Sequence, residues 1–294
     1  MEELAKSEAP LCENREFLVQ AARGHQIPHL LAEIGRQREL TFREVGEGTG
    51  KAIDLDQFDS YYTHLILWSK SKNELAGAYR LVNTEDALQR RGTKGLYTSS
   101  LFEFDARFFE QMGPALELGR SFVRSKYQKQ YAPLLMLWKG IGAYAMRHPE
   151  TPTLFGAVSI SNAYSQASRE LMVQFFQSQE CSPLAKFVRP KSSLRQRRRM
   201  RNWELSSIGK LLDFDELSNS VAEIEKDGRG IPILLRQYLK VGGKVLSFNV
   251  DKSFSNVLDG LILVDLRKTD SGKLESYMSK QGLKQFRRYH GLIS

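Results

Sequence analysis

Residues 114–138, PALELGRSFVRSKYQKQYAPLLMLW, set a carboxylate, a guanidinium and a basic loop in close succession. From Ala115 to Val123 the residues alternate as in a strand, which puts Leu116, Leu118, Arg120 and Phe122 on one face and Glu117, Gly119, Ser121 and Val123 on the other. Glu117 is a candidate general base for an attacking amine, and Arg120 offers the planar fork that suits a carboxylate. Arg124, Lys126, Gln128 and Lys129 follow in a loop, and Ala132 to Tyr144 then reads as a largely apolar helix. The amides of such a helix's first turn favour an anion, a phosphate above all. A base, an anion site and a helix start in this order suit transfer of an acyl group to an amine.

Each of these residues has a second reading. A carboxylate on a central strand is costly to bury unless paired, so Glu117 can serve the fold alone through a salt bridge with Arg80 or Arg120. Arg80 and Arg120 divide in the same way between fold-holding ion pairs and a grip on an acceptor's carboxylate. The stretch Gln128-Lys-Gln-Tyr-Ala-Pro133 has no glycine to let the backbone approach a pyrophosphate. That disfavours coenzyme A and favours a phosphopantetheine arm on an acidic carrier protein, with a solvated basic loop as the alternative.

The surrounding elements follow from periodicity. A helix is predicted over Pro28–Arg38, with Leu30, Leu31 and Ile34 on one side. His64–Trp68 and Leu75–Val82 read as a hairpin around Lys70-Ser-Lys-Asn73, Leu96–Phe104 as an extended segment, and Phe104–Met112 as a short helix. After a helix over 132–147 come a strand, Leu154–Ile160, and a helix, Tyr164–Phe176. Beyond a basic stretch lie a helix at Ile233–Val241 and strands at Val245–Val250 and Leu258–Leu266. The alternation predicts an α/β fold, a mixed central sheet flanked by helices. The expected division is a leader over 1–16, a core over 17–205 and a C-terminal α/β extension over 206–294.

Several chemistries are excluded. The loop Gly46-Glu-Gly-Thr-Gly50-Lys51 has Val45 and Ala52 where a nucleotide-binding P-loop needs glycine and a hydroxyl residue, so it reads as a flexible loop or a gate over a substrate. Pro28 separates His25 from His29, and no neighbouring glutamate completes a zinc motif. There is no Gly-x-Ser-x-Gly elbow, and no histidine is followed five residues later by the aspartate of a glycerolipid O-acyltransferase. Two cysteines, Cys12 and Cys181, make no disulfide framework, which fits a reducing cytoplasm. The N-terminus lacks a signal-peptide pattern, and no apolar run approaches the roughly 20 residues of a membrane span.

The net charge of +9 favours an anionic partner. The densest run, Arg189 to Arg201, lacks the interleaved aromatics of a nucleic-acid surface. It and the tail with Lys280, Lys284, Arg287 and Arg288 suit an anionic membrane surface or a carrier protein, with solvated charge as the alternative.

Through Glu117-Leu-Gly-Arg-Ser-Phe-Val123, Tyr127-Gln128, Leu135–Gly142 and Gly156-Ala-Val-Ser159 the chain resembles the GNAT acyltransferases, and among them the ornithine-lipid N-acyltransferases often called hemolysin-like. It is similar, more weakly, to the acyl-homoserine-lactone synthases, through Arg38, Phe42, the acids Asp54, Asp56 and Asp59, Gly77-Ala-Tyr-Arg80-Leu, and Glu117 with Arg120. The tryptophan those synthases carry after the phenylalanine is absent here. The resemblance implies a GNAT-like core that takes an acyl chain from acyl carrier protein, and in bacteria such a domain is sometimes fused to an O-acyltransferase. In the lactone-synthase likeness the acids lie near the acceptor and hold an ammonium group; the alternative is a solvated loop.

The resulting expectation is an N-acyltransferase moving a long acyl chain, with or without a 3-hydroxyl, from acyl carrier protein, or from coenzyme A, to the α-amine of an amino acid such as ornithine, in aminolipid synthesis. Glu117 acts as base and Tyr164 as acid toward the leaving thiol. Arg80, Arg120, Ser121, Asp56 and Asp59 face the acceptor, and Arg124, Lys126, Gln128 and Lys129 hold the phosphopantetheine. No metal or bound cofactor is expected, nor any nucleic-acid partner. The expected place is the cytoplasm, either free or on the inner face of the membrane through the basic segments. The alternative is a membrane-surface binding module of the same fold without activity.

Overall fold

The structure is a computed structural model that describes residues 2–179, 182–194, 213–252 and 254–293. Cys181 and the part of the basic run from Arg195 to Arg201 lie outside the described residues. The chain divides into two compact units, each drawing on separated stretches: one takes Met1–Tyr97, Pro114–Phe155 and Asp265–Ser294, the other Thr98–Gly113 and Gly156–Val264.

The first unit is built on a sheet with strands in the order β1 (Cys12–Glu13), β2 (Phe17–Arg23), β3 (Thr63–Ser69), β4 (Glu74–Asn83), β5 (Ala115–Val123) and the start of β6 (Thr153–Ile160). Neighbours pair antiparallel up to β5. β5 and β6 pair parallel over Ala115–Glu117 and Thr153–Phe155, as a strand–helix–strand crossover requires. The hairpin of β3 and β4 turns where the polar Lys70–Asn73 stretch predicts it, with Asn73 at positive φ.

Two long helices take opposite faces of this sheet. Helix α1 (Pro28–Glu44) starts on a proline whose missing N–H costs nothing in the first turn. Its Leu30 and Ile34 join Ala22, Ile66, Ala78 and Phe122 in one apolar cluster. Strand alternation puts Val19 and Leu65 on the other face, where helix α3 (Tyr131–Arg147) lies. There a side chain on Gly140 would stand 2.5 Å from Val19 Cγ1. Between β4 and β5 runs the short helix α2 (Thr84–Arg91), capped by the Asn83 side chain accepting from Glu85 N. Helix α4 (Lys280–Tyr289) completes the unit, burying Leu283 and Phe286 and leaving Lys280 and Lys284 outside.

The strand predicted over Leu96–Phe104 is shorter: Tyr97–Ser100 forms a 3₁₀ turn and only Phe102–Phe104 is extended. Hydroxyl residues such as Thr98, Ser99 and Ser100 bond readily to local backbone and compete with a strand. That strand pairs with Val188–Pro190 in the second unit. The same unit holds the hairpin of Lys244–Asp251 and Val257–Asp265, and an aromatic cluster joins Phe175 and Phe176 of helix Gln166–Ser178 to Phe214.

The glycine-rich loop expected to be flexible is pinned. The buried Glu39 carboxylate accepts from Thr49 N at 3.0 Å and from Gly50 N at 2.9 Å, and Arg43 Nε donates to it at 2.6 Å. Gly46 and Gly50 sit at φ +75° and +80°, which a side chain would strain.

Where α3 meets the C-terminal segment, a methyl on Gly142 would lie 2.4 Å from the Tyr277 carbonyl oxygen. Main chain has little room to yield, so Gly142→Ala should destabilise the protein by about 1–3 kcal/mol despite the better helix propensity of alanine. A urea midpoint equal to or above wild type would contradict this packing.

Candidate active site

Glu117 lies on β5 directly opposite Val82 of β4 and is almost fully buried. Its carboxylate accepts a short hydrogen bond from the Tyr62 hydroxyl and another from Tyr97 N at 3.0 Å. Burial, and then the charge of Glu117, push the Tyr62 hydroxyl well above its ordinary range, so it remains a donor. Neither tyrosine is legible in the sequence as part of the site: both lie outside the strands, and only the fold brings them to β5.

The strict alternation expected for β5 fails at Arg120. This residue has φ +47°, and three steps on β5 from Gly119 to Phe122 oppose two on β4 from Arg80 to Ala78. Such a bulge turns the following residues over. Phe122, expected on the opposite face from Glu117, shares the α1 face with it, and Arg120 comes to lie over the Tyr97 ring at 5.1 Å. Gly119, two residues from Glu117 on the same face, carries open space: a side chain there would meet only Tyr97 Cδ1, at 4.0 Å.

Beside Glu117 sits a buried ionic network. Arg38 Nε donates to Asp54 Oδ2 at 2.8 Å, and its terminal nitrogens reach both carboxylate oxygens of Asp59 at 3.1 and 2.9 Å. Arg80 Nη1 stands 2.6 Å from Asp56 and 3.0 Å from Asp59. Arg120 approaches Asp54 and Asp56 at 3.6 and 3.8 Å. The rest of the Arg80 guanidinium, whose Nε and Nη2 find no hydrogen-bond partner among the described residues, lies 5.0–5.5 Å from the rings of Phe58, Tyr62 and Tyr97. Burial opposes the Asp59 charge, but Arg80 and Arg38 outweigh it and hold the carboxyl well below the usual range. Of the two roles open to Arg80, the geometry displays the ion pair.

His64 faces Arg80 across the sheet, and its Nε2 is 3.0 Å from the Asp59 carbonyl. Burial pulls it down to about 4, so it is neutral where its neighbours are charged.

The proposed carrier-binding residues are partly engaged elsewhere. Arg124 and Lys126 pair with Glu74 at 3.0 and 2.5 Å, and Gln128 donates to Val123 O, while Lys129 is exposed. Ser121 follows the bulge and is half-buried. Tyr164 belongs to the second unit, where its hydroxyl donates to Gly230 O at 2.7 Å and burial pushes it up to about 12. Among the described residues no group of histidine, cysteine and acidic side chains could hold a metal ion.

Two expectations follow. Gly119→Leu should fill the space beside Glu117 and lower kcat/KM at least tenfold, on the order of what a misplaced substrate costs, with the thermal midpoint little changed; full activity would show that no substrate uses it. The folded pKa of His64 lies below its ordinary 6.5, so its contribution to stability is complete above that pH and is lost as the pH falls toward 4. The His64→Gln protein should show a shallower decline in unfolding free energy across that window, the wild-type slope being steeper by up to about 1.4 kcal/mol per pH unit. Equal slopes would place a charged His64 in the fold.

The acetyltransferase (GNAT) domain family matches residues 37–139, which span the network and β5. A glycine Nα-acyltransferase of Bacteroides thetaiotaomicron is 31% identical over 284 residues, covering 89% of this chain and 83% of that protein. An L-ornithine Nα-acyltransferase of Agrobacterium fabrum is 25% identical over 246 residues, 81% and 76% of the two chains. The crystal structure of the AHL synthase LasI aligns with 15% identity and a TM-score of 0.35, over 55% of this chain and 79% of that one. With its mixed sheet, its bulged acid-bearing strand and this degree of sequence similarity, the chain belongs to the GNAT family of amino-acid Nα-acyltransferases and is an acyltransferase.

Proposed function

We propose that the enzyme transfers a long, 3-hydroxylated acyl chain from the thioester of acyl carrier protein to the α-amine of an amino acid, forming the single-chain precursor of an aminolipid. The observation that carries this reading is Glu117, buried on a bulged strand next to the open space over Gly119. Arg38, Arg80 and Arg120 face Asp54, Asp56, Asp59 and Glu117, which leaves one negative charge in the cluster while His64 is neutral. Such a balance favours the approach of an ammonium group. The names of the relatives, glycine and L-ornithine Nα-acyltransferases, support an α-amine acceptor, with glycine first.

In the proposed step Glu117 takes a proton from the acceptor nitrogen, directly or through water, as that nitrogen bonds to the thioester carbonyl carbon. Backbone amides of β5 beyond Glu117 stabilise the oxyanion, and the C–S bond breaks to release the carrier's thiolate, which becomes the thiol by taking up the proton that Glu117 received, directly or through water. Arg120 and Ser121, at and after the bulge, orient the acceptor, and Arg80 fixes Asp56 and Asp59. Lys129, exposed between the short helix Ser125–Gln128 and α3 in a stretch without glycine, favours the carrier protein over coenzyme A.

No helix among the described residues is long and apolar enough to cross a membrane. Helix α4 instead combines Lys280, Lys284, Arg287 and Arg288 with Tyr289, Leu292 and Ile293 exposed at its end, which supports attachment to an anionic membrane surface.

Purified protein supplied with 3-hydroxyacyl thioesters of carrier protein or coenzyme A, and with glycine or L-ornithine, should release thiol and form the N-acyl amino acid, the carrier thioester giving the higher kcat/KM. Glu117→Gln should lower the rate by about 10²–10⁴ with the fold intact. Turnover near wild type in that variant would make Glu117 structural, and no thiol release with any pair would reduce the protein to a binding module.

A further inference from the structure

On the Glu117 face of the first unit a cleft of about 300 Å³ opens among Arg23, Tyr61, Val82, Asp86, Arg90 and Arg91. We propose that this cleft binds the carboxylate of the acceptor amino acid, through the guanidinium groups of Arg91 and Arg90 with Arg23 behind them. The inference rests on the acyl-transfer reading and adds to it the part of the acceptor that does not react.

Charge is the first argument. Arg38, Arg80 and Arg120 are each approached by aspartates, and the Arg80 nitrogens that no acid meets face the rings of Phe58, Tyr62 and Tyr97, so an arriving carboxylate would meet acids or aromatic faces there. Among the described residues no ion pair engages Arg23, Arg90 or Arg91, and Asp86 is the one acid on the cleft's wall. Three guanidiniums against one carboxylate around one small opening make a site for an anion.

Two of these groups are also held in place. Arg91 stacks on the Tyr61 ring with its guanidinium carbon 4.1 Å from the centroid, and Arg23 Nη1 donates to Tyr61 O at 3.0 Å. A stacked guanidinium keeps its hydrogen-bonding edge free while losing little further freedom when a ligand binds.

Position supplies the second argument. Val82, on the wall of the cleft, pairs directly with Glu117 across β4 and β5, and opposed residues of an antiparallel pair point to the same face with their Cα atoms roughly 4.5–5.5 Å apart. The Tyr61 hydroxyl donates to Gly95 O at 2.9 Å, the same carbonyl that the Tyr62 hydroxyl approaches at 3.5 Å while it donates to Glu117. Tyr61 thus stands between the arginines and the tyrosine that holds the base. In an α-amino acid the amine and the carboxylate share one carbon, so the carboxylate site must lie near the base, and Val82 and Tyr61 are the residues through which the cleft adjoins Glu117.

The test measures glycine and glycinamide, which lacks the carboxylate, as acceptors for wild type and for the Arg90→Gln/Arg91→Gln double variant of the full chain. Losing charge-assisted hydrogen bonds should raise the KM for glycine by about 10- to 100-fold, leave the KM for the acyl donor unchanged, and erase the preference for glycine over glycinamide. Arg91→Lys, which keeps the charge but loses the stacked fork, should show a smaller rise, and it decides the matter if the double variant does not fold. Unaltered glycine KM and unaltered preference in an active enzyme would overturn the cleft and leave acyl transfer standing. A wild-type protein that acylates no α-amino acid would overturn the acyl-transfer reading and this inference with it.

Discussion

The buried ion pairs between Arg38, Arg80 and their aspartates constrain everything around them. A guanidinium taken out of water loses solvation worth several kcal/mol, which only close, well-directed carboxylates restore. Arg38 comes from α1, Arg80 from β4, and Asp54, Asp56 and Asp59 from the connection into β3, so compensation of charge fixes three segments relative to one another. Removing Asp59 would take one carboxylate from each of two cations, since it serves both arginines. The connection is therefore as determined as the helix and the strand it joins, although it has little regular structure of its own.

The same network explains why the site can place a carboxylate beside buried cations without collapsing into one more salt bridge. The charges of the two deeply buried arginines are met by aspartates, and Glu117 accepts from neutral donors, the Tyr62 hydroxyl and Tyr97 N. His64 gives up its charge because its burial, and after it the cations Arg38 and Arg80, oppose a further proton more than Asp59 favours one. Charge and neutrality are sorted residue by residue within one layer against the sheet. Aromatic rings complete the sorting, for the faces of Phe58, Tyr62 and Tyr97 cover the part of Arg80 that no carboxylate reaches.

Much of this frame is legible in the sequence, and its failures have physical reasons. The hairpin of β3 and β4, helices α1 and α3, and β5 follow from local periodicity, because apolar spacing and turn residues are decided within a few positions. The bulge at Arg120 is not legible: ELGRSFV alternates well, and the positive φ falls on arginine rather than on the neighbouring glycine. Tyr62 and Tyr97 lie 55 and 20 residues from Glu117, so no spacing rule connects them. The loop of Gly46 to Gly50 reads as flexible because its composition is, and the carboxylate that pins it comes from Glu39 on the preceding helix. Arg124 and Lys126 look like open cations until Glu74, on another strand, is seen to hold them.

Helix α3 rests on Tyr277 and Met278, and Trp138 meets the Tyr277 ring at 5.5 Å, contacts that bridge more than a hundred residues of chain. During synthesis the sheet strands through β5 and the helix that crosses to β6 emerge long before the segment that seals that helix. Ribosomes add on the order of 5–20 residues per second, so α3 spends several seconds with its outer surface uncovered. The apolar residues on that surface are then open to chaperones or to neighbouring nascent chains, and the last helices act as the latch that ends this exposure. Slow, non-local closure of this kind makes the yield of folded enzyme sensitive to translation speed and temperature in a way that the stability of the finished molecule would not reveal.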